Sequence, residues 1–168
     1  RKEIVDCYRG KYTGHSNLDE YIRLSNLNQS YRSLPEAIAE FEKHIAFDIN
    51  NFVFHRTWNI GRISEIRSDE LTVAFARKRG HKMALKMAID SLITLSRDHI
   101  WVLKAVWSKE KLHEKIVSDP AWTLKTIIKS FDNQADLKRI KSELVPSVLS
   151  DKEWTGWSTK ARKVLKED

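Results

Sequence analysis

Residues 51–104 constrain the fold of this chain most, because apolar side chains there recur at every second position between turn formers. In Leu71-Thr72-Val73-Ala74-Phe75, residues Leu71, Val73 and Phe75 point one way and Thr72 and Ala74 the other. Strand-type runs are expected at 52–55, 61–67, 71–76, 81–86 and 99–103. Turn chemistry separates the first four: Asn59 and Gly61, then Ser68-Asp69-Glu70, then Arg79-Gly80. Residues 87–95 read as a helical turn between the fourth and fifth strands, with Ala88, Leu92 and Leu95 facing inward, although a short apolar run fits a strand equally well. Short strands at close spacing predict a small, strongly bent antiparallel β barrel.

On either side the apolar period becomes helical. In residues 1–49, Asn17 with Glu20 and Ser33 with Glu36 both have capping-box spacing. After the second, Leu34, Ile38, Phe41 and Ile45 share one helical face. Beyond the barrel, one helix is expected over 104–118, and Asp119-Pro120 starts a second. Asn133 is the expected cap of a third, which Pro146 ends, and Ser150 with Glu153 opens a fourth. The fold class is therefore α+β, divided into an N-terminal helical segment (1–49), a small barrel (50–104) and a C-terminal helical bundle (105–168).

No apolar run approaches the ~18 residues that span a bilayer. A lone Cys7 has no disulfide partner, so a reducing cytoplasm is the expected setting. The start Arg-Lys-Glu-Ile-Val-Asp lacks an initiator Met and an apolar signal core, which reads as a piece of a longer protein. The net charge of +7 is uneven: residues 50–104 hold ten Lys/Arg against five Asp/Glu, whereas residues 1–49 hold seven against eight. A basic bias of this kind favours an acidic partner, or else simply solubilises the surface.

Catalytic patterns are missing. There is no phosphate-binding loop, dinucleotide fingerprint or nucleophile elbow, and no histidine pair at i, i+4. His55, His81 and His99 fall at expected strand ends, where they read as structural histidines or, if they converge, as the start of an unfamiliar enzyme site. The basic loop Ala76-Arg77-Lys78-Arg79-Gly80-His81-Lys82 is the most suggestive local feature: three consecutive cations repel one another unless solvated or matched by anions. Arg56, Trp58 and Arg62 form a second cluster, in which the indole offers a stacking or anchoring surface or serves as a barrel residue. Trp154 and Trp157 lie three apart on the last helix and read first as core. The expected binding residues are thus Arg56, Trp58, Arg62, Arg77, Lys78, Arg79 and Lys82; no cofactor, metal or small-molecule substrate is expected.

The wording V-F-H-R-T-W-N-I-G-R-I at 53–63, F-A-R-K-R-G-H-K-M at 75–83 and K-E-W-T-G-W-S-T-K-A-R-K-V-L at 152–165 resembles the extension module of long, GreA-like bacterial transcription elongation factors. The resemblance covers roughly residues 34–166. In architecture the barrel is also similar to the SH3-like or Tudor-like barrels of other polymerase-binding factors. Gre factors act through a long antiparallel helix pair with an acidic tip, and this chain has neither, so no cleavage residue is carried over. The resemblance implies a non-catalytic accessory role, with RNA polymerase, or nucleic acid near it, as the partner.

Overall fold

The computed structural model describes residues 1–167, which divide into two compact units, one of residues 1–95 and one that begins at Ser96. In the first unit, helices α1 (Lys2–Lys11), α2 (Leu18–Leu24) and α3 (Leu34–Ile45) precede strands β1 (Phe52–His55), β2 (Asn59–Arg67), β3 (Glu70–Phe75) and β4 (His81–Ala84). Helix α4 (Leu85–Ser91) then leads to β5 (Ile93–Leu95). All pairings are antiparallel, in the order β4-β3-β2-β1-β5.

The α+β class stands, but the strands form an open five-stranded sheet with edges at β4 and β5, not a closed barrel. A second correction concerns the last strand. Residues 99–103 begin helix α5 (Ile100–Val106), because the His99 ring nitrogen accepts the Trp101 N–H at 3.1 Å and caps it. The fifth strand lies instead at Ile93–Leu95, where Phe54 pairs with Ile93 and Phe52 with Leu95.

The alternation in β3 sends Leu71, Val73 and Phe75 inward. They join Val53, Ile63 and Met83 from the sheet with Tyr21, Phe41 and Ile45 from α2 and α3 in one core, so the N-terminal helices belong to the same unit as the sheet. Tyr21 is fully buried and donates its hydroxyl to the Phe47 carbonyl at 2.9 Å; burial pushes its ionisation upward. Gly61 makes the tightest contact of the sheet. A Cβ there would lie 2.6 Å from Phe75 Cδ1 and Cε1 and from Val73 Cγ1, so only glycine lets the Phe75 ring lie against β2.

The second unit holds α5, α6 (Lys109–Ser118), α7 (Pro120–Ser130), α8 (Leu137–Leu144) and α9 (Asp151–Glu167). The single helix expected over 104–118 is interrupted at Trp107 and restarts with Ser108, whose hydroxyl accepts the Lys111 N–H. Asp119 caps α7 as expected, whereas α8 is capped by Asp136 and not Asn133. Ser150 and Glu153 satisfy each other's backbone N–H groups at 2.9 and 3.2 Å and start α9. Ile100, Ile116, Ile127, Ile140, Leu144 and Leu149 fill the core. Beside it Glu143 is nearly buried and accepts from Trp101 Nε1 at 3.0 Å and Lys104 Nζ at 3.1 Å, with Arg139 Nη2 at 3.1 Å from its other oxygen.

Candidate partner-binding surface

Two hairpin tips meet at one end of the sheet. His55 is the last paired residue of β1, and β2 begins at Asn59, so Arg56, Thr57 and Trp58 form a three-residue loop. Asn59 takes φ 60°, the left-handed conformation that such a loop requires at its exit. In the second tip Phe75 and Lys78 exchange backbone hydrogen bonds at 3.1 and 3.2 Å, leaving Ala76 and Arg77 at the apex. Gly80, at φ 64°, turns the chain into β4.

The Trp58 ring sits between these tips. His55 stacks on it at 4.2 Å with planes 18° apart, His81 meets it edge-on at 4.3 Å, and Phe75 lies 5.4 Å away. Lys78 reaches across and places Nζ 4.3 Å from the indole centroid, a cation–π contact. Trp58 is therefore half-buried, resting on the core with a cation of the basic loop already on its face. His81 ionises below its ordinary range, first because it is desolvated and then because the charges of Lys78 and His55 lie near.

The seven residues singled out from sequence do not form one patch. Trp58 and Lys78 are brought together. Arg56, Arg77 and Arg79 are exposed around them, with no carboxylate within 4 Å among the described residues. Arg62 and Lys82 belong elsewhere. Arg62 pairs with Phe52 and Ala74, and Lys82 with Thr72, so both project from the sheet face opposite Val73 and Phe75. Lys82 also lies 3.4 Å from Glu70, across an exposed strand pair.

Sequence reasoning did not foresee that His55 and His81 would enclose Trp58. The available signal was their position at strand ends facing the same tip. His99, grouped with them from sequence, lies in the second unit as the cap of α5. Trp157 is buried, donating its indole N–H to the Ile116 carbonyl at 2.8 Å, and Trp154 stacks beside it at 5.5 Å, so that pair is core. Among the described residues no group of three His, Cys, Asp or Glu side chains is placed to hold a metal ion, and no helix is long and apolar enough to cross a membrane.

Residues 101–168 match the GRAD helix-turn-helix domain family. Over 99% of its length the chain is 59% identical to a putative GreA-associated domains protein of Treponema pallidum, of which it spans 25%. It is 38% identical over its whole length to a protein of Borreliella burgdorferi named transcription elongation factor GreA, spanning 18% of it. A protein of the same name from Chlamydia trachomatis is 22% identical over 94% of this chain, which spans 22% of that relative. The chain thus spans a quarter or less of the length of the curated relatives it matches. No solved structure matches it. The resemblance to the extension module of long GreA-like factors, drawn above from three stretches, is therefore borne out along nearly the whole chain, and its C-terminal unit is similar to GRAD helix-turn-helix domains.

Proposed function

We propose that this chain is a non-catalytic accessory module of a Gre-type transcription elongation factor, acting in the cytoplasm by docking to RNA polymerase or to nucleic acid held near it. Similarity to GreA-associated and GreA-named proteins supports the association with that factor class. The observation that carries the docking reading is the hairpin tip, where Arg77 and Arg79 stand exposed beside Arg56 over a ring cluster that fixes the loop. Solvated guanidinium groups on this hairpin suit an acidic protein face or a phosphate backbone, where charge-assisted hydrogen bonds offset the cost of ordering their side chains.

Capture of purified polymerase by the immobilised chain, beside a gel-shift series at two salt concentrations, tests this reading. Replacing Arg77, Lys78 and Arg79 together by Ala should weaken capture at least about tenfold, in line with the loss of several charge-assisted contacts. A steep loss of binding with salt identifies nucleic acid as the direct partner, and a shallow one a protein face. Undiminished binding by the triple variant removes the tip from the mechanism.

A further inference from the structure

A cavity of about 300 Å³ opens in the first unit, at the end of β3 away from the hairpin tip. Leu24 closes α2, Glu40 and His44 stand one turn apart on α3, and Asp69 sits in the turn between β2 and β3. Helix α4 completes the lining. The Leu85 amide donates to the Asp69 carbonyl at 2.6 Å, which fixes the start of that helix against the turn.

The lining has a one-sided chemistry. Leu24, Leu85 and Ile89 give it an apolar wall, whereas Glu40, Asp69 and Asp90 bring three carboxylates that, ionised, only accept hydrogen bonds. Asp69 and Asp90 are exposed and Glu40 is half-buried. Three cations lie nearby. Lys86 is exposed and also lines the cavity, Lys43 Nζ is 3.9 Å from Glu40 Oε2, and Arg23 is held by Glu20 at 2.8 Å.

His44 supplies the independent observation. It is only 7% exposed, yet it lines the cavity. Its Nδ1 donates to the Glu40 carbonyl at 2.7 Å, so in the neutral ring Nε2 is an acceptor. Tyr21 meets the ring edge-on at 5.5 Å from the protein interior. Nε2 has no hydrogen-bond partner among the described residues and is not sealed off. With Nδ1 turned back on its own helix, Nε2 is the nitrogen left for the cavity. An acceptor in so enclosed a place calls for a donor.

We infer that this cavity binds an alkylguanidinium ion, the chemistry of an arginine side chain. Its stem lies along Leu24, Leu85 and Ile89, and its N–H groups reach His44 Nε2 and the carboxylates. A guanidinium presents five donors in one plane and no acceptor, which matches a lining of acceptors. An ammonium has fewer donors and holds its water more strongly, so it fits less well. The volume stands at the small end of ligand sites, enough for one such group. The inference does not rest on the hairpin tip, which lies at the other end of β3.

The test is two-dimensional amide NMR of the nitrogen-labelled 168-residue chain, titrated with butylguanidinium, butylammonium and pentanoate. Butylguanidinium should give saturable shifts at Leu24, His44, Asp69 and Leu85 to Asp90 with a Kd of about 1 mM. Butylammonium should bind more weakly and pentanoate should not bind. Asp69→Asn with Asp90→Asn changes two exposed side chains and should weaken the guanidinium at least about tenfold. His44→Phe keeps a ring but removes the acceptor, and should weaken it about fivefold or more. Lys86→Ala removes a competing cation and should tighten it. Replacing Arg77, Lys78 and Arg79 by Ala should change nothing here, so failure at one site is distinguishable from failure at the other. Two sources of the ion are separated by comparing free arginine with an arginine between blocked glycines: tighter peptide binding assigns the site to a partner's side chain, tighter free arginine to a small molecule. No saturable shift at about 50 mM butylguanidinium, equal binding of pentanoate, or undiminished affinity in the double Asn variant overturns the inference. Undiminished affinity in a His44→Phe variant with an unchanged melting temperature also overturns it.

Discussion

Replacing Gly61 by Ala tests the packing that supports the hairpin tip. The added methyl carbon would sit 2.6 Å from three side-chain carbons, about 1 Å inside ordinary van der Waals contact. Neither neighbour has room to retreat. Val73 and Phe75 are buried, and the Phe75 ring is backed by Trp58 at 5.4 Å, His55 at 6.0 Å and His81 at 6.3 Å. Overpacking of this kind costs about 1–3 kcal/mol. The smaller unfolded-state entropy of alanine returns about 0.5–1 kcal/mol. The net expectation is a loss of about 1–2 kcal/mol. For a unit of 95 residues that lowers the melting temperature by roughly 5–15 °C. Circular dichroism melts give the global change, and amide hydrogen exchange along β2 and β3 localises it. A compensating Phe75→Leu removes the ring carbons that the methyl meets, so the double variant should be less destabilised than the sum of the two single changes. An unchanged or higher melting temperature for Gly61→Ala, or strict additivity with Phe75→Leu, would refute the reasoning.

Other perturbations read other parts of the molecule. Lys78→Ala should raise the pKa of His81, because the Lys78 charge helps hold it down, while stability falls by no more than about 1 kcal/mol for an exposed cation–π contact; NMR titration of the imidazole C–H resonances checks the first and urea unfolding the second. His81 and His99 both ionise below the ordinary value of 6.5, chiefly through burial, so the unfolded chain binds protons more readily. Their contribution to stability is complete above that value and is lost as pH falls through it toward their folded pKa values; denaturation series at pH 7.5 and 5.5 should show the drop, and its absence in the His81→Ala, His99→Ala pair identifies the groups. Glu143→Ala removes the nearly buried carboxylate that faces both Lys104 and Arg139 and should cost about 3 kcal/mol by urea unfolding, whereas a change under 1 kcal/mol would show that water replaces the carboxylate freely. Ser150→Ala removes the hydroxyl half of the α9 capping box, with an expected loss of about 1 kcal/mol and faster exchange of the Glu153 amide.

Much of the first unit was legible because strand alternation is a local property. Leu71, Val73 and Phe75 face the core whatever the rest of the chain does. Where a run was too short to show a period, composition decided wrongly. Ile93-Thr94-Leu95 and Ile100-Trp101-Val102-Leu103 are both brief apolar runs, and the first became the strand because β1 offered an open edge, the second a helix because His99 could cap it. At Asn17 the helix start is where the spacing puts it, with Asn17 at the N-cap position of α2, but the capping bond itself does not form. The side-chain amide donates instead to the Ser68 carbonyl, fifty-one residues away, a demand that local spacing does not reveal.

The candidate site divides along the same line. Three consecutive cations near a hairpin apex repel one another unless solvated or matched by anions, so the exposure of Arg77, Lys78 and Arg79 was one of the two outcomes their order allowed. Which face Arg62 and Lys82 show is a matter of register, and a one-residue slip exchanges the two faces of a strand. In β2 the register shifts between Ile63 and Glu65, so Ile63 opposes Val73 while Glu65 opposes Thr72. Arg62 lies before that shift and Trp58 before the strand, beyond a loop whose exit residue needs φ 60°. Charge order along the chain therefore marked the candidate cations, while pairing across the sheet decided that Lys78, and neither Arg62 nor Lys82, covers the tryptophan.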